Sequence, residues 1–337
     1  MRNMLIASLS AVLLTPSIAL SQSVPITLDN FKRAESDFYM AKTVHEGALG
    51  KFLHSREATP IDKQPVVRMN RDTLYSQAVF DLDAGPVTIM LPDPGKRFMS
   101  MQVINEDHYT PLVVYKPGPT TLTRKNVGTR YVFPAIRILV DPNDPKDVAQ
   151  VHALQDAIKV EQKSVGKFEA PNWDLAQQKK VREALESLVP FIGALTNSFG
   201  TKAQVDPVKH LVGTAVGWGG NPDKDAAYAT ATPAKNDGKT VYKLRVKDVP
   251  VDAFWSVSVY NDKGFFQKND YDAYSVNSIT GKKGADGAVN IQFGGCDGKI
   301  PNCLPITQGW NYAVRMYRPR AVILNGTWKM PEAQPAN

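Results

Sequence analysis

Three strand-like segments in the first half of the chain recur in the same order in the second half, and this recurrence limits the possible folds most. The matched pairs are 75–81 with 242–248, 98–105 with 254–261, and 135–138 with 313–316. An ordered repeat of this kind predicts two related β modules. Short strands can also match by chance, so superposition of the two halves is the test.

The pattern between the repeats supports a β-rich fold. Short alternating or apolar runs separated by Pro and Gly fill 66–140 and recur over 240–328, which is typical of strands. Helical spacing is found over 28–53 and after Asp144 and Asp174. We therefore predict an α+β, β-dominated protein: two related antiparallel β-sandwich or barrel modules joined by a helical segment, plus an N-terminal helix.

The predicted boundaries follow these changes of pattern. The N-terminal helix and first β module should occupy 22–143, the helical region 144–220, and the second β module 221–337. The length of the chain agrees with more than one hydrophobic core.

The first residues read as a secretory signal peptide. Arg2 precedes an apolar run from Met4 to Leu14, and Ala19-Leu20-Ser21 has the small-x-small pattern of a cleavage site. We expect cleavage after Ser21 and a periplasmic or secreted protein. No apolar run reaches the ~20 residues that a spanning helix needs, so no membrane span is predicted.

Cys296 and Cys303 are the two cysteines of the chain. In an oxidising compartment they should form a disulfide that staples a loop, contributing ~2.5 kcal/mol by the chain-entropy relation. Their spacing is not Cys-x-x-Cys, which disfavours a redox pair.

Charge and motifs exclude several classes of function. The formal net charge is +7, but the basic residues are scattered, so nucleic acid is not an expected partner. The sequence has no Gly-x-Ser-x-Gly, phosphate loop or dinucleotide fingerprint, and no cofactor is predicted. The histidines have no recognised metal-ligand spacing, so no metal site is predicted either.

One candidate site combines the ends of two predicted strands. Arg71 and Asp72 precede a strand that carries Tyr75, and Glu106 and His108 follow another. If these strands are antiparallel neighbours, the ends meet. Arg71 could then bind an anionic group, while Asp72 or Glu106 orients His108 as a general base. The alternative is an Arg-Asp pair closing a turn and a solvated loop at 106–108.

A second candidate site lies in the glycine-rich stretch 217–222. Glycines let the backbone approach a ligand, and Trp218 with Tyr228 could stack on a sugar or another ring. The alternative is that these aromatic side chains anchor an inter-domain loop.

Several segments together resemble one bacterial family. They are 30–37, 68–75, 98–105, 217–220 with Ala227-Tyr228, 254–260 and 315–319. The chain resembles exported proteins that pair the domains of unknown function 1254, in the first half, and 1214, in the second. The resemblance implies two β-rich domains with helical additions, and it implies no established activity or catalytic set.

Our expectation is therefore an exported protein that binds or processes a small molecule or an envelope glycan in a polar cleft. The competing hypothesis is a non-catalytic envelope protein that contacts partners. Whether the protein is an enzyme and how it oligomerises stay open.

Overall fold

The structure, a computed structural model, describes residues 23–64 and 66–336, so the predicted signal peptide lies outside the described residues. The helices are α1 Phe31–His45, α2 Arg124–Val127, α3 Pro145–Asp156, α4 Leu175–Glu186, α5 Pro207–Gly217 and α6 Ala321–Leu324. The strands of the first half are β1 Leu53–His54, β2 Thr73–Gln77, β3 Phe80–Asp81, β4 Val87–Leu91, β5 Met99–Asn105, β6 Leu112–Val114, β7 Gly118–Leu122, β8 Tyr131–Leu139 and β9 Lys159–Gln162. Those of the second half are β10 Ala226–Ala231, β11 Tyr242–Val246, β12 Trp255–Tyr260, β13 Ser275–Asn277, β14 Val289–Phe293, β15 Cys303–Leu304, β16 Asn311–Tyr317 and β17 Gln334–Pro335.

Each half forms two sheets that enclose a core. The first module has the order β1-β2-β8-β5-β6, with β3 also on β8, facing the sheet β7-β4-β9. The second has β10-β16-β12-β13 facing β15-β14-β11-β17. Alternate apolar side chains point between the sheets of each module and form a separate core there. The predicted β-dominated class with two related modules is confirmed as sandwiches, without a closed barrel in the described residues.

The two modules share strand register as well as strand order. Gln102 lies opposite Ala135 between β5 and β8, and Ser258 lies opposite Ala313 between β12 and β16. These are the positions that the sequence repeat aligns, so two of its three matched pairs coincide with equivalent strands.

The remaining matched pair, 75–81 with 242–248, is wrong. Tyr75 lies opposite Arg137 on β8, and the residue opposite Arg315 on β16 is Tyr228, not Tyr242. Tyr242 lies on β11 in the other sheet, where the counterpart is β4. Strand β10 is therefore the counterpart of β2. The sequence match of 75–81 with 242–248, which share a Tyr, a Val and an Asp, joined strands that are not equivalent.

Helices cover the outer face of the first module. Asp144, Asp174 and Asp206 cap α3, α4 and α5 with their side chains, and Pro follows directly in α3 and α5. α1, α4 and α5 pack around Phe31, Leu185 and Val212. The predicted helix over 28–53 ends earlier, at His45, before Gly47 with φ 94°.

The modules meet through the faces of β8 and β16 that point away from the two cores. Leu139, Phe254 and Tyr317 form a buried cluster there, with Phe98 packed against it. The backbone repeats across this junction, because the Val140 N–H donates to the Asp72 carbonyl and the Arg318 N–H donates to the Asp225 carbonyl. The same backbone contact therefore stands beside the junction in each module.

Two further sequence predictions concern local features. Cys296 and Cys303 form the predicted disulfide, which closes the loop beside β15. Among the described residues, no helix combines the length and apolar character needed to cross a membrane.

Candidate functional site

The structure separates the two halves of the first predicted site. β2 and β5 are not neighbours, because β8 lies between them and is antiparallel to both. Asp72 precedes the start of β2 at the level of Val140, whereas Glu106 follows the end of β5 at the level of Tyr131, about 30 Å away along the sheet at the usual rise per residue. The grouping of Asp72 with His108 is therefore wrong.

His108 is a buried, neutral side chain. Its Nε2 accepts a hydrogen bond from the Gly219 N–H at 2.8 Å, so the proton is on Nδ1, which donates to Thr214 Oγ1 at 2.8 Å. Burial, together with His210 and Lys32, lowers its pKa well below the usual value. A ring with both nitrogens engaged and no access to solvent does not serve as a general base.

The turn that holds His108 is a structural feature repeated in both modules. Asn105 Oδ1 accepts from the N–H groups of Asp107 and Tyr109. In the second module, Asn261 Oδ1 accepts in the same way from the N–H groups of Lys263 and Phe265. His108 has φ 65°, and its counterpart Gly264 has φ 80°. Glu106 is also engaged, since its carboxylate accepts from Arg33 and from the Tyr131 N–H.

Arg71 and Asp72 hold the modules together. Asp72 Oδ1 accepts from Ser275 Oγ and from Asn277 Nδ2 of the second module. The Arg71 guanidinium donates to the Thr59 carbonyl and lies over the Tyr274 ring, 5.3 Å from its centroid. Partial burial lowers the pKa of Arg71. Neither residue faces His108.

Trp218 anchors the inter-domain stretch rather than a ligand. Its Nε1 donates to Ser36 Oγ at 3.0 Å, and its ring stacks on Tyr39 with centroids 4.7 Å apart. It also stacks on His108 at 5.5 Å. Both faces of the indole are thus covered by protein, which agrees with the anchoring alternative.

Tyr75 and Tyr228, by contrast, converge around a residue that the sequence reasoning missed. Arg137 is buried on β8, with its guanidinium 5.3 Å from the centroid of the Tyr75 ring. It donates to Gln102 Oε1 at 2.8 Å and to the Gly219 carbonyl at 3.1 Å. Burial opposes the charge of Arg137, but Tyr75, Tyr317 and Tyr228 favour it and raise its pKa. We call Tyr75, Arg137, Tyr228 and Tyr317 the tyrosine–arginine cluster.

The Tyr75 hydroxyl is surrounded by donors. Asn70 Oδ1 accepts from the Asp72 N–H at 2.9 Å, which turns Asn70 Nδ2 toward the Tyr75 oxygen at 3.1 Å and the Tyr317 oxygen at 3.3 Å. Burial opposes ionisation of Tyr75, but Arg137, Asn70 and Thr73 outweigh it and lower the pKa. Burial raises the pKa of Tyr317 well above its usual value. The two phenols therefore differ in acidity.

A sequence signal for Arg137 existed. Ala-Ile-Arg-Ile at 135–138 and Ala-Val-Arg-Met at 313–316 each place a charge inside an apolar strand. Both arginines are buried, and neither belongs to an ion pair among the described residues. Arg315 instead donates to Ser258 Oγ and to Tyr260 Oη. Buried charges need polar partners, so this repeated arginine marks the junction.

Tyr228 connects the cluster to an open cleft. Its side chain is 50% exposed, and its hydroxyl accepts from Asn221 Nδ2 at 3.1 Å. The cleft has a volume of about 1140 Å³ and runs along β10 between the loop 193–199 and the segment 323–332. Its walls combine aromatic, apolar and polar side chains, among them Phe199, Asn221, Asp223, Tyr228, Trp328 and Met330. Ligand sites in proteins commonly combine a cleft with this mixture of aromatic, apolar and polar side chains.

The described residues contain no cluster of three or more His, Cys, Asp or Glu side chains arranged to hold a metal ion.

Each half of the chain matches a known protein family. Residues 49–125 match the family described as "Protein of unknown function (DUF1254)", and residues 225–321 match "Protein of unknown function (DUF1214)". No protein of curated function matches the chain.

Solved structures show the same fold. The crystal structure of the VPA0106 protein from Vibrio parahaemolyticus is 19% identical, with a TM-score of 0.70 over 91% of this chain and 98% of that one. An uncharacterized protein from Burkholderia cenocepacia is 15% identical, with a TM-score of 0.52 over 91% and 88%. At these identities the likeness concerns the fold alone.

Proposed function

This chain belongs to the proteins that join a DUF1254 domain to a DUF1214 domain, and from that premise we propose that it is an extracytoplasmic binding protein. Its ligand site is the cleft along β10, and the ligand is a small molecule or a glycan. A periplasmic or secreted location is part of the proposal. The disulfide supports it, because disulfides persist in oxidising compartments.

The half-exposed ring of Tyr228 carries the proposal. An aromatic ring held at its hydroxyl by Asn221, on the wall of a large cleft, offers a flat apolar surface beside hydrogen-bonding groups. Sugars and other ring compounds bind to such combinations. Binding without catalysis is favoured because His108, the base suggested by the sequence, has both ring nitrogens engaged in the core.

The test is a ligand screen on the mature protein with a pair of tyrosine variants. Glycan arrays and a small-molecule library are read out by binding and by thermal shift. A Tyr228→Ala variant should lose affinity for the selected ligands by about tenfold or more, as expected for a central aromatic contact. Tyr271→Ala is the matched control, because Tyr271 is 45% exposed but lies outside the cleft lining.

Equal binding by wild type and the Tyr228→Ala variant would place the ligand elsewhere. A screen without any binder would contradict the small-molecule and glycan proposal.

A further inference from the structure

Strand β10 has an unusual position for a strand of its length. It is the terminal strand of its sheet, and six residues long. The other sheet edges in the described residues are protected in ways that natural proteins commonly use. β1, β6, β13, β15 and β17 have only two or three residues, β7 contains Pro119, and β9 carries Lys159 and Glu161.

None of these protections is found in β10. Its sequence is Ala-Ala-Tyr-Ala-Thr-Ala, without charge or proline. Tyr228, Ala229 and Thr230 are exposed, so the neighbouring loops leave the edge open. A long, uncharged, accessible edge is a template for pairing with another strand.

The first module shows what covers the equivalent edge. On β2, the counterpart of β10, strand β1 pairs antiparallel with Ser76 and Gln77, and the Ser55 N–H donates to the Tyr75 carbonyl. Tyr75 corresponds to Tyr228, and Gln77 to Thr230. An extended segment of polypeptide therefore occupies in one module the place that is open in the other.

The direction of the free backbone groups follows from the pairing. Asp225 bonds to Arg318 across the pair next to β10, and bonding alternates along an antiparallel pair. Ala227, Ala229 and Ala231 thus bond to β16, whereas Ala226, Tyr228 and Thr230 turn their N–H and C=O groups to the other side. The Ala226 N–H donates to the Pro222 carbonyl, so the groups that face the cleft for pairing are those of Tyr228 and Thr230.

The two walls of the cleft define the kind of segment that fits. One set of lining residues is apolar and partly buried against the core of the second module, and it suits apolar side chains of an added strand: Ala227, Ala231, Ile323, Trp328 and Met330. Tyr228 with its Asn221 contact borders the other side, which suits polar side chains.

We propose that β10 accepts an extended segment of a partner polypeptide as an added antiparallel strand, with alternating apolar and polar side chains. This inference goes beyond the proposed small-molecule or glycan site, because it assigns the open edge of β10 in the same cleft to a peptide. The backbone of β10 would supply most of the hydrogen bonds. The two walls of the cleft would contact alternate side chains of the peptide and determine its specificity.

Residue 230 offers a sharp test. A Thr230→Pro substitution removes one outward N–H without removing a bond to β16, and proline is tolerated at such positions of edge strands. A Thr230→Val substitution keeps the backbone donor and the side-chain shape, so it is the matched control.

The probe is a phage-displayed library of random dodecapeptides, selected on the mature wild-type protein. Selected peptides should bind wild type and the Thr230→Val variant alike and the Thr230→Pro variant about tenfold more weakly, as for loss of a hydrogen bond. Amide exchange at Tyr228 and Thr230 of the wild type should slow on binding, a readout that does not depend on how well the proline variant folds.

Other outcomes overturn the inference in distinguishable ways. Peptides that bind both variants equally without slowing these amides, or no selected peptide at all, exclude strand addition. Glycan binding lost in Tyr228→Ala but kept in Thr230→Pro would retain the proposed function and reject the peptide. A wild-type dimer that dissociates in Thr230→Pro would assign the edge to a second copy of this chain.

Discussion

Phe98 packs edge-to-face against Phe254, its own counterpart in the second module, with ring centroids 5.1 Å apart. A residue meets its counterpart in this way only near a twofold axis. The contact therefore marks the centre of the junction.

We predict that this contact couples the stability of the two modules. Phe98→Ala and Phe254→Ala should each lower the free energy of unfolding by about 3–5 kcal/mol, because each removes a large packed ring. The double variant should lose less than the sum of the two, by about 1 kcal/mol, since aromatic pairs gain beyond their buried area. Denaturant unfolding of the four proteins measures this, and strict additivity would show that the rings act independently.

Asp37 should make stability depend on pH. The carboxyl group is buried in α1, and burial together with the negative charge of Glu106 raises its pKa to about 6 despite a hydrogen bond from Trp173. The folded state thus favours the protonated form. This stabilisation is complete below the ordinary pKa of 3.8 and is lost as the pH rises through about 6.

An Asp37→Asn variant should remove that dependence and be more stable than wild type at pH 7, by up to about 3 kcal/mol for a shift of this size. Thermal unfolding from pH 4 to pH 8 is the measurement, with Asp270→Asn at an exposed aspartate as the control. An Asp37→Asn variant with the same pH profile as wild type would contradict the assignment.

Tyr75 should ionise at lower pH than an ordinary tyrosine. Burial opposes this, but Arg137, Asn70 and Thr73 all stabilise the phenolate and together lower the pKa. In a titration followed by tyrosinate absorbance, Tyr75→Phe should remove the earliest component. Tyr115→Phe should leave that component in place, because burial and Asp225 raise the pKa of Tyr115. The same early component in Tyr75→Phe would assign it to another tyrosine.

His108 should matter for stability and not for ligand binding. His108→Gly keeps the positive φ accessible but removes the ring contacts and leaves the Gly219 N–H without its acceptor. We expect a loss of about 3 kcal/mol in unfolding free energy. Ligands found in the screen should bind the folded variant as they bind wild type, and lost affinity without lost stability would return His108 to the functional site.

Part of this fold could be predicted from the sequence because local pattern and tertiary structure agree there. The match of 98–105 with 254–261 gave equivalent strands, since both carry the same alternation and end in an Asn that closes the same turn. The match of Tyr75 with Tyr242 was wrong, because three shared residues do not determine which sheet a strand joins. The true counterpart, β10, shares little beyond its tyrosine with β2.

The candidate site depended on a fact that the sequence does not contain. Whether Asp72 and His108 meet is decided by which strand lies between β2 and β5, and that strand, β8, comes later in the chain. Tyr75 and Tyr228 are candidate residues on sequence grounds, and their part in ligand binding stays a prediction. The position of Arg137 near both tyrosines could not be predicted, because the sequence marks its strand only as part of the repeat.

Each module has one aspartate at the junction whose side chain accepts a hydrogen bond from the other module. Asp72 of the first module is held by Asn277 of the second, and Asp225 of the second is held by Tyr115 of the first. Each module therefore completes a buried carboxylate of the other, and a module made alone would leave its own carboxylate without that partner. The two halves of one polypeptide therefore make the reciprocal contacts that two copies of a single module would make in a symmetric pair.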